Sequence, residues 1–302
     1  MRHWWYLAIA GLACVAAALV VAGGRWTPRD TAGGGRWRIV SLAPSVTEML
    51  FALGLEDGLV GVTDYCDYPP AAKRIERIGG FRSPNVERLL ALKPDLAIAS
   101  GLDRTDAVQA LRGAGVGVLD LRIRNFEEMF EALRDIGRAT GRLDRAAEVV
   151  AAMQADLSAV AARYAAVPVE RRPRVFVEIW YNPMTTAGGA SFLDDLITRA
   201  GGVNVAHDLA QEHPRVNPEQ VIAWNPDVIV VCYMARGGAS ASAMAGRIGW
   251  ADIAAVRQGR VIGDIPSDHL LRPGPRLVEG VKILSRRLYE PPGTSTDGHT
   301  CR

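Results

Sequence analysis

Cysteine pairs that could hold zinc or exchange electrons are lacking in this chain. Its four cysteines, Cys14, Cys66, Cys232 and Cys301, lie far apart, and none belongs to a CxxC pair. A disulfide between Cys66 and Cys232 would join two distant halves of the chain and oppose any movement between them. We therefore expect both as free, half-buried thiols, and the cysteines indicate neither a zinc site nor a redox function.

Strong charge and catalytic motifs are also lacking. The formal net charge is only +2 and the arginines are spread along the chain, whereas a nucleic-acid-binding face needs clustered basic residues. The sequence contains no P-loop, no GxSxG and no HExxH pattern. These absences favour a protein that binds a ligand without catalysis, and they argue against a nucleic-acid partner.

One group of residues keeps a different class of function open. His207, Asp208, Glu212 and His213 lie close together in a predicted loop, and His269 follows later in the chain. Imidazole and carboxylate groups at such spacing are able to ligate a metal ion. A solvated polar loop explains the same residues equally well. The alternative is a metal-dependent enzyme or metallochaperone that uses His207, Asp208, His213 and His269.

The two ends of the chain have compositions unlike the rest. Residues 1–22 contain a long uncharged apolar run after Arg2 and His3, which suits an export signal peptide or a retained membrane anchor. Cys14 within it adds lipid attachment as a third alternative. All three place the remaining chain outside the cytoplasm. We expect residues 23–37 to form a flexible tether and residues 291–302 a disordered tail.

A twelve-residue motif occurs twice. Asn85 to Leu96 returns 132 residues later as Asn217 to Val228. Each copy is typical of a short helix, a Pro-Asp turn and a fully apolar strand buried on both faces of a sheet. A repeated unit of this kind predicts two similar α/β lobes, each with a mainly parallel sheet flanked by helices, and a cleft between them.

The segment between the two copies predicts how the lobes are joined. Apolar residues recur at helical spacing from Leu143 to about Ala166, which gives a helix ~35 Å long at ~1.5 Å per residue. We assign residues 38–141 to an N-terminal lobe, 142–166 to the linking helix and 167–290 to a C-terminal lobe. Because a single helix bends reluctantly, we expect the lobes to move only modestly.

Loops that follow the strands are rich in aromatic and amide side chains. Open α/β sheets bind ligands outside the carboxyl ends of their strands, and large flat side chains there suit a large ligand with apolar faces. Arg272, in a stiff Pro-Gly-Pro loop, is placed to donate hydrogen bonds to a ligand, whereas we expect Arg276 to pair with a carboxylate of the fold. The aromatic and amide candidates are Tyr65, Tyr68, Phe81, Trp180, Tyr181 and Asn182.

Several of these segments resemble one protein family. Residues 38–48, with the sequence RIVSLAPSVTE, are similar to the opening of the helical-backbone (class III) periplasmic binding proteins of ABC importers. The DYCDYPP loop at 64–70, the LKPDL turn at 92–96 and the RPGPR segment at 272–276 look like the cobalamin (vitamin B12) branch of that family. The resemblance covers residues 38–290. Receptors for haem and ferric siderophores share the same fold.

The resemblance implies a function and a site. Tyr65 and Phe81 would contact the corrin from the first lobe, with Phe81 where the family's cobalamin receptor has Trp. From the second lobe the contacts would come from Trp180 or Tyr181 and the Asn182-Pro183 turn, with Arg272 at the ligand edge. The implied function is an extracytoplasmic protein, without catalysis, that delivers cobalamin or a related corrinoid to an ABC importer. Haem or a ferric siderophore is the alternative ligand.

The resemblance also implies a docking surface for the importer. Glu87 and Glu219, one in each copy of the motif, match the acids with which the family pairs arginines of the membrane permease dimer. Each follows the helix N-cap, Asn85 or Asn217, where the helix dipole alone stabilises an acid by ~0.3–1 kcal/mol. The dipole is thus an alternative explanation for both residues.

Overall fold

The computed structural model describes residues 36–101, 106–233 and 241–289. The predicted signal or anchor at 1–22, nearly all of the predicted tether and the predicted tail at 291–302 lie outside the described residues. Within the described ranges, no helix is both long and apolar enough to cross a membrane.

The first lobe contains a parallel sheet of four strands, in the spatial order β2-β1-β3-β4. Its strands and helices, in chain order, are β1 (Ile39–Ser41), α1 (Pro44–Ala52), β2 (Leu59–Val62), α2 (Val86–Ala91), β3 (Leu96–Ser100), α3 (Asp106–Gly113), β4 (Gly117–Leu121) and α4 (Phe126–Thr140). Single 3-10 turns lie at Glu56–Gly58 and Pro70–Arg74.

The second lobe repeats this topology. The long helix α5 (Leu143–Tyr164) leads into a 3-10 turn at Val169–Arg171, and a second parallel sheet has the spatial order β10-β9-β5-β8. Its elements are β5 (Arg174–Glu178), β6 (Trp180–Tyr181), β7 (Met184–Thr185), α6 (Phe192–Arg199), β8 (Val203–Asn204), α7 (Pro218–Trp224), β9 (Val228–Val231), α8 (Ala241–Ala245), α9 (Ala254–Arg257), β10 (Val261–Ile262), α10 (Asp268–Leu271) and α11 (Leu277–Tyr289). Read from the other edge, this order matches that of the first sheet. Two lobes with parallel sheets are therefore confirmed.

The Pro-Asp turns of the repeated motif perform the same task in both lobes. Lys93 and Asn225, at equivalent positions, adopt left-handed backbone conformations with φ of 46° and 44°. The carboxylate of Asp95 then accepts the N–H of Arg38 at 3.1 Å, and that of Asp227 accepts the N–H of Arg174 at 2.8 Å. Each aspartate thus fixes the start of one strand against its neighbour, which explains the repetition of the turn.

One apolar core runs through both lobes. It joins one face of each sheet to α1, α4, α5, α6 and α11, and α5 contributes a stripe made of Ala146, Val150, Met153, Leu157, Val160 and Tyr164. The opposite face of each sheet has a core of its own, with α2 and α3 in the first lobe and with α7 in the second. Because α5 buries its apolar stripe in a core that both lobes share, it connects them as a packed element.

The two described cysteines are free but more buried than expected. Cys66 and Cys232 are both about 1% exposed, so the prediction of free thiols is confirmed and that of half-burial is wrong. Cys232 directly follows the core strand β9, and Cys66 packs on the shared core within reach of the Thr47 and Thr63 hydroxyls. Burial raises the pKa of both thiols, that of Cys232 to about 12.

Candidate ligand-binding site

The lobes meet at two seams formed by chain that leaves the strands' carboxyl ends. In one seam, Arg272 Nη1 lies 2.6 Å from Asp67 Oδ1, in the loop after β2. In the other, the N–H of Phe126 after β4 donates to the Asp195 carboxylate of α6 at 2.8 Å. The carboxyl edges of both sheets therefore border the space between the lobes. That is where open α/β sheets bind ligands.

Four large aromatic side chains are exposed on loops at this edge. Tyr65 and Tyr68 follow β2 and are 61% and 44% exposed, while Trp180 and Tyr181 follow β5 and are 49% and 59% exposed. The fifth candidate aromatic, Phe81, is only partly exposed because it packs against both apolar cores of the first lobe. The structure thus leaves four rings free to be covered by a ligand and places Phe81 at their margin.

The loop of the second lobe is shaped by a short hairpin. Strands β6 and β7 pair antiparallel around a cis Asn182–Pro183 bond. The indole N–H of Trp180 donates to the backbone carbonyl of Asn182 at 3.0 Å, which orients the Trp180 ring along the hairpin. Asn182 itself is exposed, so its side-chain amide is accessible at the same edge.

A network of charged groups closes the seam beside Tyr68. Arg276 binds the buried carboxylate of Glu48 through two hydrogen bonds of 2.6 and 3.0 Å, and its guanidinium lies 4.1 Å from the ring centroid of Tyr68. The expectation that Arg276 pairs with a carboxylate of the fold is confirmed.

Arg272 also pairs with carboxylates of the protein. Its Nε lies 3.0 Å from Asp268, and its Nη1 contacts Asp67.

The network shifts the ionisation of its acids in opposite directions. Burial raises the pKa of Glu48 above its ordinary value, although the hydrogen bond and charge of Arg276 oppose that effect. For the half-exposed Asp67, burial is outweighed by the hydrogen bond and charge of Arg272, so its pKa is lowered. Glu48 is thus the buried acid of the network, held in the interior by Arg276 and, at 3.7 Å, by Nη1 of Arg272.

A second buried ion pair lies behind the hairpin. Glu178, at the end of β5, has no exposed side-chain surface and binds Arg247 through two hydrogen bonds of 2.6 and 2.9 Å. The Tyr233 hydroxyl also donates to Glu178, and burial together with this acid raises the pKa of Tyr233. No local pattern predicts this cluster, because its members come from segments up to 69 residues apart.

The histidines proposed as metal ligands are not brought together. His207 Nδ1 lies 3.0 Å from the Asp194 carboxylate, whereas His213 is exposed on its loop. His269 lies in α10, in the seam that contains Arg272, and burial there lowers the pKa of His269. In the part of the chain that the structure describes, no three His, Cys, Asp or Glu side chains form a group able to hold a metal ion.

Residues 39–267 match the family model described as periplasmic binding protein. The chain belongs to the periplasmic binding protein family. It is 35% identical over 257 residues to the ABC transporter substrate-binding lipoprotein YvrC of Bacillus subtilis, with 83% of this chain and 80% of the relative covered. Its function is therefore that of an extracytoplasmic substrate-binding protein of ABC transporters.

The likenesses extend to proteins with two different ligands. The vitamin B12-binding protein of Salmonella typhimurium is 33% identical over 195 residues, which cover 64% of this chain and 71% of the relative. The solved structure of the periplasmic haem-binding protein RhuT from Roseiflexus sp. RS-1 superposes with a TM-score of 0.74 at 30% identity, over 84% of this chain and 98% of that one. The family is established, and the ligand must be argued from the site.

The Glu48–Arg276 pair generates a prediction about stability and pH. Glu48 binds its proton more tightly in the folded than in the unfolded state, so stability falls as pH rises from the ordinary to the raised pKa. Arg276→Met removes the main group that opposes this shift, which leaves the buried carboxylate with only the more distant Arg272, at 3.7 Å, as a positive partner. We expect the variant to lose about 3–5 kcal/mol of unfolding free energy near neutral pH.

The test compares Arg276→Met with the double variant Glu48→Gln/Arg276→Met by urea denaturation. The double variant should be the more stable of the two at about pH 7, and the difference should shrink as the pH is lowered towards about 5, because a Glu48 that takes up its proton resembles Gln. A difference that stays constant between the two pH values would contradict the assignment.

Proposed function

We propose that this protein captures cobalamin or a related corrinoid in the cleft between its lobes and delivers it to an ABC importer. The observation that supports the proposal is the set of four exposed aromatic rings, Tyr65, Tyr68, Trp180 and Tyr181, on loops at the carboxyl edges of two facing sheets. The likeness to vitamin B12-binding proteins agrees with this chemistry.

The size and shape of the rings favour a large ligand with apolar faces. Four large aromatic side chains exposed to water carry an unfavourable hydration free energy. A small polar ligand would cover little of their area and so would relieve little of that free energy. A macrocycle inserted between the loops would cover rings from both lobes at once. Phe81, partly exposed beside the first loop, extends the apolar wall of the same site.

Polar groups at the edge of the site suit a ligand that carries amide side chains. The exposed amide of Asn182 both donates and accepts hydrogen bonds. Arg272 uses Nε and Nη1 for Asp268 and Asp67, so its Nη2 is the group that donates to the ligand. Since these carboxylates neutralise Arg272, the site has no strong preference for an anion, which agrees with an uncharged amide-bearing periphery.

Haem is the second candidate ligand, and one observation favours it. Tyr65 presents an exposed phenol at the cleft, and a tyrosine oxygen is one of the axial ligands that proteins supply to haem iron. The likeness to a haem-binding structure adds to this alternative. Haem would use Tyr65 as a ligand atom, whereas a corrinoid would use the same ring only as a stacking surface.

The proposal includes the route by which the protein reaches, or stays at, the outer side of the membrane. Residues 1–22 either direct export or remain as an anchor, and residues 23–37 would then act as a tether between the membrane and the first lobe. Either arrangement keeps the binding lobes on the extracytoplasmic side, where the permease takes up its cargo.

The ligand assignment predicts a binding profile. Calorimetric titration with cyanocobalamin should give saturable binding at micromolar concentrations. Tyr65→Ala and Trp180→Ala should each weaken it about tenfold, because each removes a ring that covers the ligand. Tyr289→Ala, which removes an exposed ring at the far end of α11, is the matched control and should bind normally.

Two results would change the assignment. Binding of hemin or a ferric siderophore without binding of cyanocobalamin would reject the corrinoid. If the protein binds both ligands, a Tyr65→Phe variant separates the two roles of the residue, because Phe preserves stacking and loses the oxygen. Unchanged cyanocobalamin affinity together with lost hemin affinity in this variant would support the stacking role for corrinoid and the ligand-atom role for haem.

The docking role of Glu87 and Glu219 rests on the symmetry of the two lobes. Both acids are exposed in the first turn of equivalent helices, α2 and α7, which Asn85 and Asn217 cap through their side chains. Three residues later each helix exposes an aliphatic side chain, Leu90 or Ile222, both 36% exposed. Two matched patches, each an acid beside an aliphatic residue, suit a dimeric permease with an arginine on each subunit.

The docking role predicts separate effects on transport and binding. Glu87→Lys with Glu219→Lys should abolish uptake in a reconstituted importer, because two attractions become repulsions. Ligand affinity should stay within a factor of two, since both residues lie outside the cleft. Glu56→Lys with Glu170→Lys, at two other exposed glutamates, is the control for the same change of net charge. Uptake that matches the control would reject the docking role.

A further inference from the structure

The exposed ring of Tyr181 packs against the partly buried guanidinium of Arg247. The guanidinium of Arg247 lies 4.8 Å from the ring centroid of Tyr181 and 4.5 Å from that of Trp250. Trp250 is fully buried in the core of the second lobe, whereas Tyr181 is mostly exposed at the cleft. Arg247 therefore connects a ring in the interior with a ring at the proposed binding surface.

Arg247 is itself held rigidly. Its two terminal nitrogens bind the two oxygens of Glu178, a bidentate arrangement that fixes both the position and the plane of the guanidinium. Burial alone would lower the pKa of Arg247, but Glu178 raises it above its ordinary value, so the group stays charged. Glu178 is the last residue of β5, a central strand of the second sheet. The Glu178 carboxylate therefore fixes the plane of the Arg247 guanidinium relative to that sheet.

Tyr181 needs such support because of its position. It belongs to a two-residue strand in a hairpin, and its ring is 59% exposed. An exposed ring on a short hairpin samples several rotamers, and a ligand that stacks on it must then restrict that freedom on binding. A cation over one face of the ring selects one orientation beforehand and leaves the other face for the ligand.

We propose that Arg247 is a positioning residue that acts through Tyr181, using the Glu178–Arg247 pair to hold the Tyr181 ring in the orientation that stacks on the ligand. The inference rests on the proposed function, since it needs Tyr181 at the ligand surface. Because Glu178 neutralises Arg247, the effect is steric and orientational, and it applies equally to neutral and anionic ligands.

The main variant is Arg247→Lys, which keeps a charge opposite Glu178 and removes the planar group under the ring. We expect cyanocobalamin or hemin affinity to fall about fivefold. Tyr181→Ala should lose about tenfold, and the double variant should lose no more than Tyr181→Ala alone, since Arg247 acts only through that ring. Arg172→Lys, where a guanidinium lies over the Tyr164 ring away from the cleft, is the matched control.

Two outcomes overturn the proposal. If the affinity losses of Arg247→Lys and Tyr181→Ala multiply in the double variant, Arg247 contacts the ligand itself. If Arg247→Lys binds with wild-type affinity, the Glu178–Arg247 pair has only a structural role. If Arg247→Lys folds poorly, the variant Glu178→Gln/Arg247→Met removes both charges together and takes its place, because removing a buried pair avoids an unpaired charge.

A measurement without ligand separates this inference from the proposed function. With 3-fluorotyrosine at position 181, the ¹⁹F resonance should shift and narrow in Arg247→Lys as the ring gains freedom, and stay unchanged in Arg172→Lys. An unchanged resonance in Arg247→Lys overturns the positioning role. If the wild type binds neither probe, the proposed cargo is wrong, and the resonance alone decides whether Arg247 holds the ring.

Discussion

Helix α5 is buried in an apolar core that both lobes share, and this burial restrains how the lobes move against each other. Its apolar stripe packs with α4 of the first lobe and with α6 and α11 of the second. Any large rotation of one lobe against the other would expose part of that stripe, and exposing apolar area costs ~25 cal/mol per Å². We infer that this restraint holds the two lobes in place, so that the cleft proposed as the binding site is nearly preformed.

The ion pairs at the seams refine this arrangement. Arg276 reaches from the second lobe to Glu48 in the first, and Arg272 reaches to Asp67. The seam beside Tyr68 is therefore held together by ion pairs as well as by apolar packing. On the other side, Glu178 and Arg247 fix the surface behind Tyr181. Rings from each lobe therefore lie on arginines whose positions are set by buried carboxylates. A site built from supported rings loses little conformational freedom when it covers a flat ligand.

Much of this structure could be predicted from the sequence because it follows from local residue patterns. The repeated motif predicted both buried strands and the two-lobe fold, and helical periodicity predicted α5. The partners of Arg272 and the Glu178–Arg247 pair could not be predicted, since they join residues far apart in sequence through side-chain geometry alone. The burial of Cys66 and Cys232 was missed for a similar reason: a loop residue just beyond a strand gives no sign of how deeply it packs. The aromatic residues were found, but only the fold showed that Phe81 is partly used by the core.

We propose that the shared core limits movement of the lobes, so that ligand enters a cleft already formed. Spin labels at exposed positions Arg82 and His213, one in each lobe, with Cys14 and Cys301 replaced by Ser, report the distance across the cleft by double electron–electron resonance. A preformed cleft predicts that saturating ligand shifts this distance by less than about 5 Å, roughly one helical turn. A shift of about 10 Å or more would contradict it and show that α5 acts as a hinge.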